Sequence, residues 1–147
     1  VTNPEVTSAV AALRALLTED LDTYRRLHAG LDADQRRAFA VVLTAAFNEA
    51  AVRRFGDDSA PASIIGFVAD ARARYPRTGE AVPAEDAEAV IRAALGEDEL
   101  IEGLDGHAYG AAQTAMLFAL TRDQDVEALL SDAAAQGEDY LQRRANR

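Results

Sequence analysis

Glu85, Glu88, Glu102 and Asp105 are the residues whose type and spacing most invite chemistry. Glu85-Asp86-Ala87-Glu88 is followed by Glu99, Glu102 and Asp105 at three-residue steps. Carboxylates at i and i+3 share a helix face, so two such segments facing each other could hold magnesium. Capping explains Glu85, Asp86 and Asp105 without function, because acids favour helix starts. The two histidines, His28 and His107, are far apart and lie in neither HExxH nor Glu-x-x-His spacing, so no metal is expected on them. His28 reads as a helix-end cation and His107 as a first-turn surface residue. Four arginine doublets, Arg25-Arg26, Arg36-Arg37, Arg53-Arg54 and Arg143-Arg144, could grip phosphate. Adjacent helical residues diverge by about 100°, however, so a doublet is not a ready clamp. Three of the four fall near expected helix C-termini, where cations are favoured. Arg36-Arg37 falls near a helix start, where it either pairs with acids on neighbouring helices or marks an outward binding face.

A second group of candidates lies on the most apolar stretch, Gln35 to Phe55. Between Ala38 and Phe47 only Thr44 is not apolar, and Asn48 and Glu49 follow. If this helix is enclosed, its polar groups must be satisfied internally or line a cavity. Asn48 and Glu49, with Tyr24, Tyr75 and Tyr109, are therefore the candidate residues for an inter-helix ligand pocket. The alternative is that the helix loses its enclosure after Phe47 and that Glu49 pairs with Arg53 at i,i+4 spacing.

The carboxylates from Glu85 to Asp105 resemble the metal-binding grid of all-helical nucleoside-triphosphate pyrophosphohydrolases of the MazG type, over about twenty residues. The resemblance implies a magnesium-dependent hydrolase using Glu85, Glu88, Glu102 and Asp105. The first half lacks the full acidic pattern of that family and the chain has no lysine to accompany the metal, so the family is not assigned.

Composition removes other chemistries. Cysteine is absent, which excludes disulfides, thiolate ligands and a cysteine nucleophile. Without lysine there is no Schiff base and no phosphate-loop lysine. Ser8, Ser59, Ser63 and Ser131 lie in no GxSxG elbow, and no glycine-rich phosphate loop or calcium-binding loop occurs. The formal net charge of −10 opposes phosphate backbones, so no nucleic-acid partner is expected. No apolar run reaches membrane-spanning length and no signal peptide opens the chain, which leads to an expectation of a cytoplasmic protein without a membrane partner.

The elements that would position these groups are helical throughout. Asn3-Pro4-Glu5 is a helix start, and Val6, Val10, Leu13, Leu17, Leu21 and Tyr24 form one apolar stripe, which predicts a helix over 4–28 closed by Gly30. Asp32 and Gln35 have capping-box spacing for a helix over 33–55, antiparallel to the first. Asp57-Asp58-Ser59 is expected to cap 60–75, with Ile64, Ile65, Phe67, Val68, Ala71 and Tyr75 facing inward. Residues 77–82 read as loop. Further helices are expected over 83–95, 97–103, 107–122 and 124–145, with Asp105 and Asp123 as caps and Gly137 inside or dividing the last. The fold class is all-α, a single-domain bundle of six or seven helices around 33–55 with no β-sheet.

The function expected from these features is a non-catalytic protein–protein interaction or regulatory module, without a cofactor. Its partner would be another protein or a second copy of the chain. The alternatives are a small-molecule binder near Asn48 and Glu49 and the magnesium-dependent hydrolase.

Overall fold

A computed structural model describes residues 3–147, with side chains at all of these except 78 and 79. The described residues form α1 (Pro4–Leu17), α2 (Leu21–Ala29), α3 (Ala33–Phe55), α4 (Pro61–Arg74), α5 (Pro76–Ala81), α6 (Ala84–Ala94), α7 (Gly106–Leu120) and α8 (Val126–Ala145). Short 3-10 turns at Asp98–Ile101 and Thr121–Asp123 complete them, and no strand occurs among the described residues. The chain divides into two compact units, one made of the chain up to Ala46 with Asp123–Arg147, the other of Phe47–Arg122. Among the described residues no helix is long and apolar enough to cross a membrane.

In the first unit, Asn3 caps α1 as its sequence predicts, its Oδ1 accepting from the amides of Glu5 and Val6 at 2.8 and 3.3 Å. Val6, Ala9, Ala12, Leu13, Leu16 and Leu17 are buried on α1. The continuous helix expected over 4–28 breaks at 18–20. Glu19 takes a positive φ of 64°. The Glu19 amide then donates to Leu16 O and the Asp20 amide to Ala15 O, the paired bonds that close a helix at a left-handed residue. Asp20 starts α2 by accepting from the Thr23 amide at 3.3 Å. The break takes Leu21 out of the buried stripe. None of the α2 residues is buried, and Leu21 is 43% exposed.

Glu19 pays for that turn, because the left-handed region costs a side-chain-bearing residue about 1–2 kcal/mol. Glycine there escapes the steric cost but loses more entropy on folding. Glu19→Gly is expected to raise the unfolding free energy by about 0.5 kcal/mol, read as a higher urea midpoint. A lower midpoint would show that the glutamate side chain outweighs the backbone.

The capping box at the start of α3 forms as expected. The Gln35 amide donates to Asp32 Oδ1 at 2.8 Å, and the Asp32 amide donates to Gln35 Oε1 at 2.9 Å. Ala38, Phe39, Val42, Leu43 and Ala46 are buried, while Ala40 is exposed, so this half is not enclosed on every side. α8 is one helix with Gly137 inside it. Asp125, not Asp123, is its cap, accepting from the Ala128 amide at 3.1 Å. The expected cap lies in the preceding 3-10 turn, which sets the helix start later. α8 is tied to α1 by Arg14 Nε to Glu127 Oε2 at 2.9 Å and by the Asn3 amide to Glu138 Oε1 at 3.2 Å.

In the second unit, burial on α3 continues past Phe47 as a stripe of Ala50, Ala51 and Phe55, each 0% exposed. Gly56 ends the helix where a Cβ would lie 2.6 Å from Val52 O, so the chain can only turn there without a side chain. The expected cap of α4 by Asp57, Asp58 or Ser59 does not form. Ala60 is the boundary residue without a side-chain bond, and Asp58 instead accepts from Ser63 Oγ at 2.7 Å. Ile64, Val68 and Ala71 are buried on α4, but Ile65 is 51% exposed, because one helix cannot turn adjacent residues to the same core. The expected loop 77–82 is largely the helix α5. Pro76 begins it with a preset φ, while Tyr75 stays extended before the proline. Arg72 Nε donates to Val82 O at 3.1 Å and ties the end of this connection to α4. α6 ends at Gly96 with φ 119°, and the helix expected over 97–103 is a 3-10 turn over Asp98–Ile101. Asp105 caps α7, accepting from the Ala108 amide at 2.7 Å.

Candidate functional site

Of the acidic residues singled out by spacing, Asp105 caps α7 and Glu85 lies in the first turn of α6. Glu85 and Glu102 are exposed, Glu88 is half-buried, and Asp105 is spent on its cap. No group of three or more His, Asp or Glu side chains among the described residues is placed to hold a metal ion. The strongest electrostatic feature of this region is a fork in which Arg92 Nε and Nη2 donate to the two carboxylate oxygens of Glu97 at 2.7 and 2.8 Å. The bidentate hydrogen bond from Arg92 holds the Glu97 carboxyl below the usual carboxylate range. Arg92 is raised in turn, first by that bond and further by the fields of Glu97, Glu88 and Glu99.

The sign of the resulting pH dependence follows. A carboxyl depressed in the folded state stabilises the fold above its unfolded pKa of about 4.3, and that contribution disappears as pH falls through the folded value. Glu97→Gln is therefore expected to lower the urea midpoint slightly at neutral pH and to match the native chain in acid. A difference that persisted in acid would contradict the assignment.

The arginine doublets divide in a regular way. Arg25 pairs with Asp22 at 3.5 Å, Arg37 with Asp34 at 3.7 Å, Arg53 with Glu49 at 3.3 Å and Arg143 with Asp139 at 3.0 Å, each within its own helix. Arg54 lies over the Phe55 and Phe67 rings, 5.1 and 5.6 Å from their centroids, and Arg144 donates to Tyr140 Oη at 3.4 Å. The rings of Phe55 and Phe67 themselves meet edge to face.

The candidates around the end of α3 are dispersed. Asn48 is exposed and Glu49 is engaged by Arg53. Tyr75 packs edge-on against Phe118, and burial raises the Tyr109 hydroxyl, with the Asp98 charge adding to it. Tyr24 belongs to the first unit, where its ring lies 5.4 Å from that of His28, which meets Phe39 edge-on. Burial raises the Tyr24 hydroxyl as well. His107 is exposed in the first turn of α7.

A concave site does occur in the first unit. α1, α2 and the start of α3 frame a groove of about 350 Å³. Ala11, Leu27 and Leu31 give it an apolar lining, and Thr7, Ser8, Arg26 and Gln35 supply polar groups. Gly30 completes the wall where the chain passes from α2 to α3. Gln35 Nε2 donates to Ser8 Oγ at 3.4 Å, and Thr7 Oγ1 donates to the Asn3 carbonyl at 3.2 Å. Neither hydroxyl is held by a histidine or a carboxylate, so neither is activated as a nucleophile.

Sequence spacing pointed to none of this groove. Its residues come from three helices, and Leu27 and Arg26 reach it only because the chain turns at Glu19. The single usable signal was Gln35, whose capping role was legible but whose second contact, to Ser8, was not. No protein-family model, curated protein or solved structure matches the chain.

Proposed function

We propose that the chain is a cytoplasmic, non-catalytic interaction module that receives a segment of another protein, or of a second copy of itself, in the groove framed by α1, α2 and α3. The observation that carries the reading is the groove itself: an apolar lining of Ala11, Leu27 and Leu31 beside the polar groups of Ser8, Arg26 and Gln35. Its hydroxyls are engaged by an amide and a backbone carbonyl rather than by a base, which favours binding over catalysis. A small-molecule ligand is the second reading, since the groove reaches the lower end of the range of about 300–1,000 Å³ found for ligand pockets.

Amide-resonance titration of the chain with a library of short peptides tests the proposal, with light scattering to detect self-association. Shifts are expected at groove residues and should be lost in Thr7→Trp, which fills the groove from an exposed position. If a second copy is the occupant, the same variant should dissociate the dimer. A monomer whose groove resonances respond to no peptide, or whose responses survive Thr7→Trp, would overturn the proposal.

A further inference from the structure

The bend between α1 and α2 is made of residues that can equally continue a helix. Thr18, Glu19 and Asp20 include neither glycine nor proline, and Glu19 is held at φ 64°, where a side chain is sterically disfavoured. At the bend the Glu19 amide donates to Leu16 O at 3.2 Å and the Asp20 amide to Ala15 O at 2.9 Å. In a continuous α-helix each amide bonds the carbonyl four residues back, so Glu19 would donate to Ala15 O and Asp20 to Leu16 O. The two donors exchange their two acceptors, and both stay bonded. The Thr23 amide, now given to Asp20 Oδ1, would turn to the Glu19 carbonyl. The side chains agree with the backbone. Leu13, Leu17 and Leu21 recur at steps of four, so a continuous helix carries all three on one face. In the bent chain Leu13 and Leu17 are buried, whereas Leu21 is 43% exposed and no residue of α2 is buried.

We propose that two copies of the chain form a dimer by straightening this bend and exchanging α1. Residues 4–29 become one helix in each copy, and α1 of each takes the place of the other's against α2, the start of α3 and α8. A single chain cannot straighten without giving up those contacts. Two chains can, because each contact is remade between them: Arg14 with Glu127, the Asn3 amide with Glu138, and Gln35 with Ser8. The steric cost at both Glu19 residues is released, and Leu21 rejoins the face of Leu17. Strained short hinges favour exchange of this kind, and mass action drives it as concentration rises. The inference goes beyond the groove reading and does not depend on it, since the groove is then walled by α1 of one copy and by α2 and α3 of the other.

The ion pair between α1 and α8 reports the exchange. Arg14→Glu sets two carboxylates against each other, and Glu127→Arg sets two guanidinium groups against each other. An exchanged dimer with one chain of each kind relieves both. The new acid on α1 of one chain meets the new base on α8 of the other, and the native Arg14–Glu127 pair forms in the second half. A dimer made by surface contact alone keeps both repelling pairs. The two variants are unfolded in urea, refolded separately or together at millimolar concentration, and sized by chromatography with light scattering. The native chain, Glu19→Gly and Asp20→Ala are refolded in the same way.

The native chain is expected to yield a dimer, and the mixture of Arg14→Glu with Glu127→Arg to contain about threefold more dimer than either variant alone. Glu19→Gly should lower the dimer fraction, because glycine relieves the bend and disfavours the straight helix. Asp20→Ala should raise it, because it removes a cap that only the bent form uses and adds a strong helix former. A native chain that stays monomeric after refolding at millimolar concentration would overturn the proposal. A mixture with no more dimer than the separate variants would overturn it as well, since the association would then leave α1 in its own chain. Dimer fractions that ignored both Glu19→Gly and Asp20→Ala would overturn the bend as the hinge.

Discussion

Leu43→Asp is expected to abolish the cooperative unfolding transition of the chain at neutral pH. Leu43 is 6% exposed on α3, with Val42 and Ala46 beside it at 0%. An aspartate in that position either stays ionised without a partner or takes up a proton, and both routes cost several kcal/mol. Substitutions of this kind reach about 4–5 kcal/mol or more, a large part of the roughly 5–15 kcal/mol that holds a domain together. Two companions on the same helix isolate burial as the cause. Leu43→Met keeps the volume and should cost less than about 1.5 kcal/mol. Ala40→Asp adds the same charge at an exposed position and should stay within about 0.5 kcal/mol of the native chain. Urea melts followed by circular dichroism give all three values. A near-native melt for Leu43→Asp would contradict the burial of Leu43.

Gly137→Leu is expected to destabilise the chain by about 1–3 kcal/mol through overpacking. A Cβ at Gly137 would lie 3.0 Å from Val42 Cγ2 and 3.7 Å from Val41 Cγ1. Val42 is fully buried, and a β-branched side chain has little rotamer freedom with which to move aside. Helix propensity works in the other direction, since glycine inside a helix costs about 1 kcal/mol relative to alanine. Leucine gains most of that benefit, so a net loss would measure the contact between α8 and α3. Val42→Ala should recover part of it, and a coupling of about 0.5–3 kcal/mol in the double-mutant cycle would show that the two residues meet. Additive effects would contradict the close approach.

The helical class and several helix ends were legible because they depend on local chemistry. Asn3 before Pro4, Asp32 with Gln35, and Asp105 before α7 each satisfy free amides within a few residues, so residue type and spacing suffice to read them. The i,i+4 pair of Glu49 and Arg53 was legible for the same reason. The break at Glu19 was not. The apolar stripe runs through it without interruption, and no glycine or proline marks it. It forms through bonds to Leu16 and Ala15 that depend on the backbone alone. α5 was misread because glycine and proline suggest a loop, although a proline at a helix start is compatible with one.

Tertiary structure decided which apolar residues are buried and which polar residues meet. Leu21 continues the stripe of Leu13 and Leu17 in sequence, yet the turn at Glu19 leaves it 43% exposed. Gly137 could be read as a pause between two helices, and only the nearness of Val42 shows a close packing point inside one. The groove belongs wholly to this second kind of information. Ser8, Arg26 and Gln35 have no common period, and their sharing one groove depends on how three helices pack. Sequence alone determined that the chain is helical, acidic and without cysteine or lysine, because those properties reside in single residues and their near neighbours. The contact of Gln35 with Ser8 needed the fold, because hydrogen-bond partners far apart in the chain are brought together only by packing.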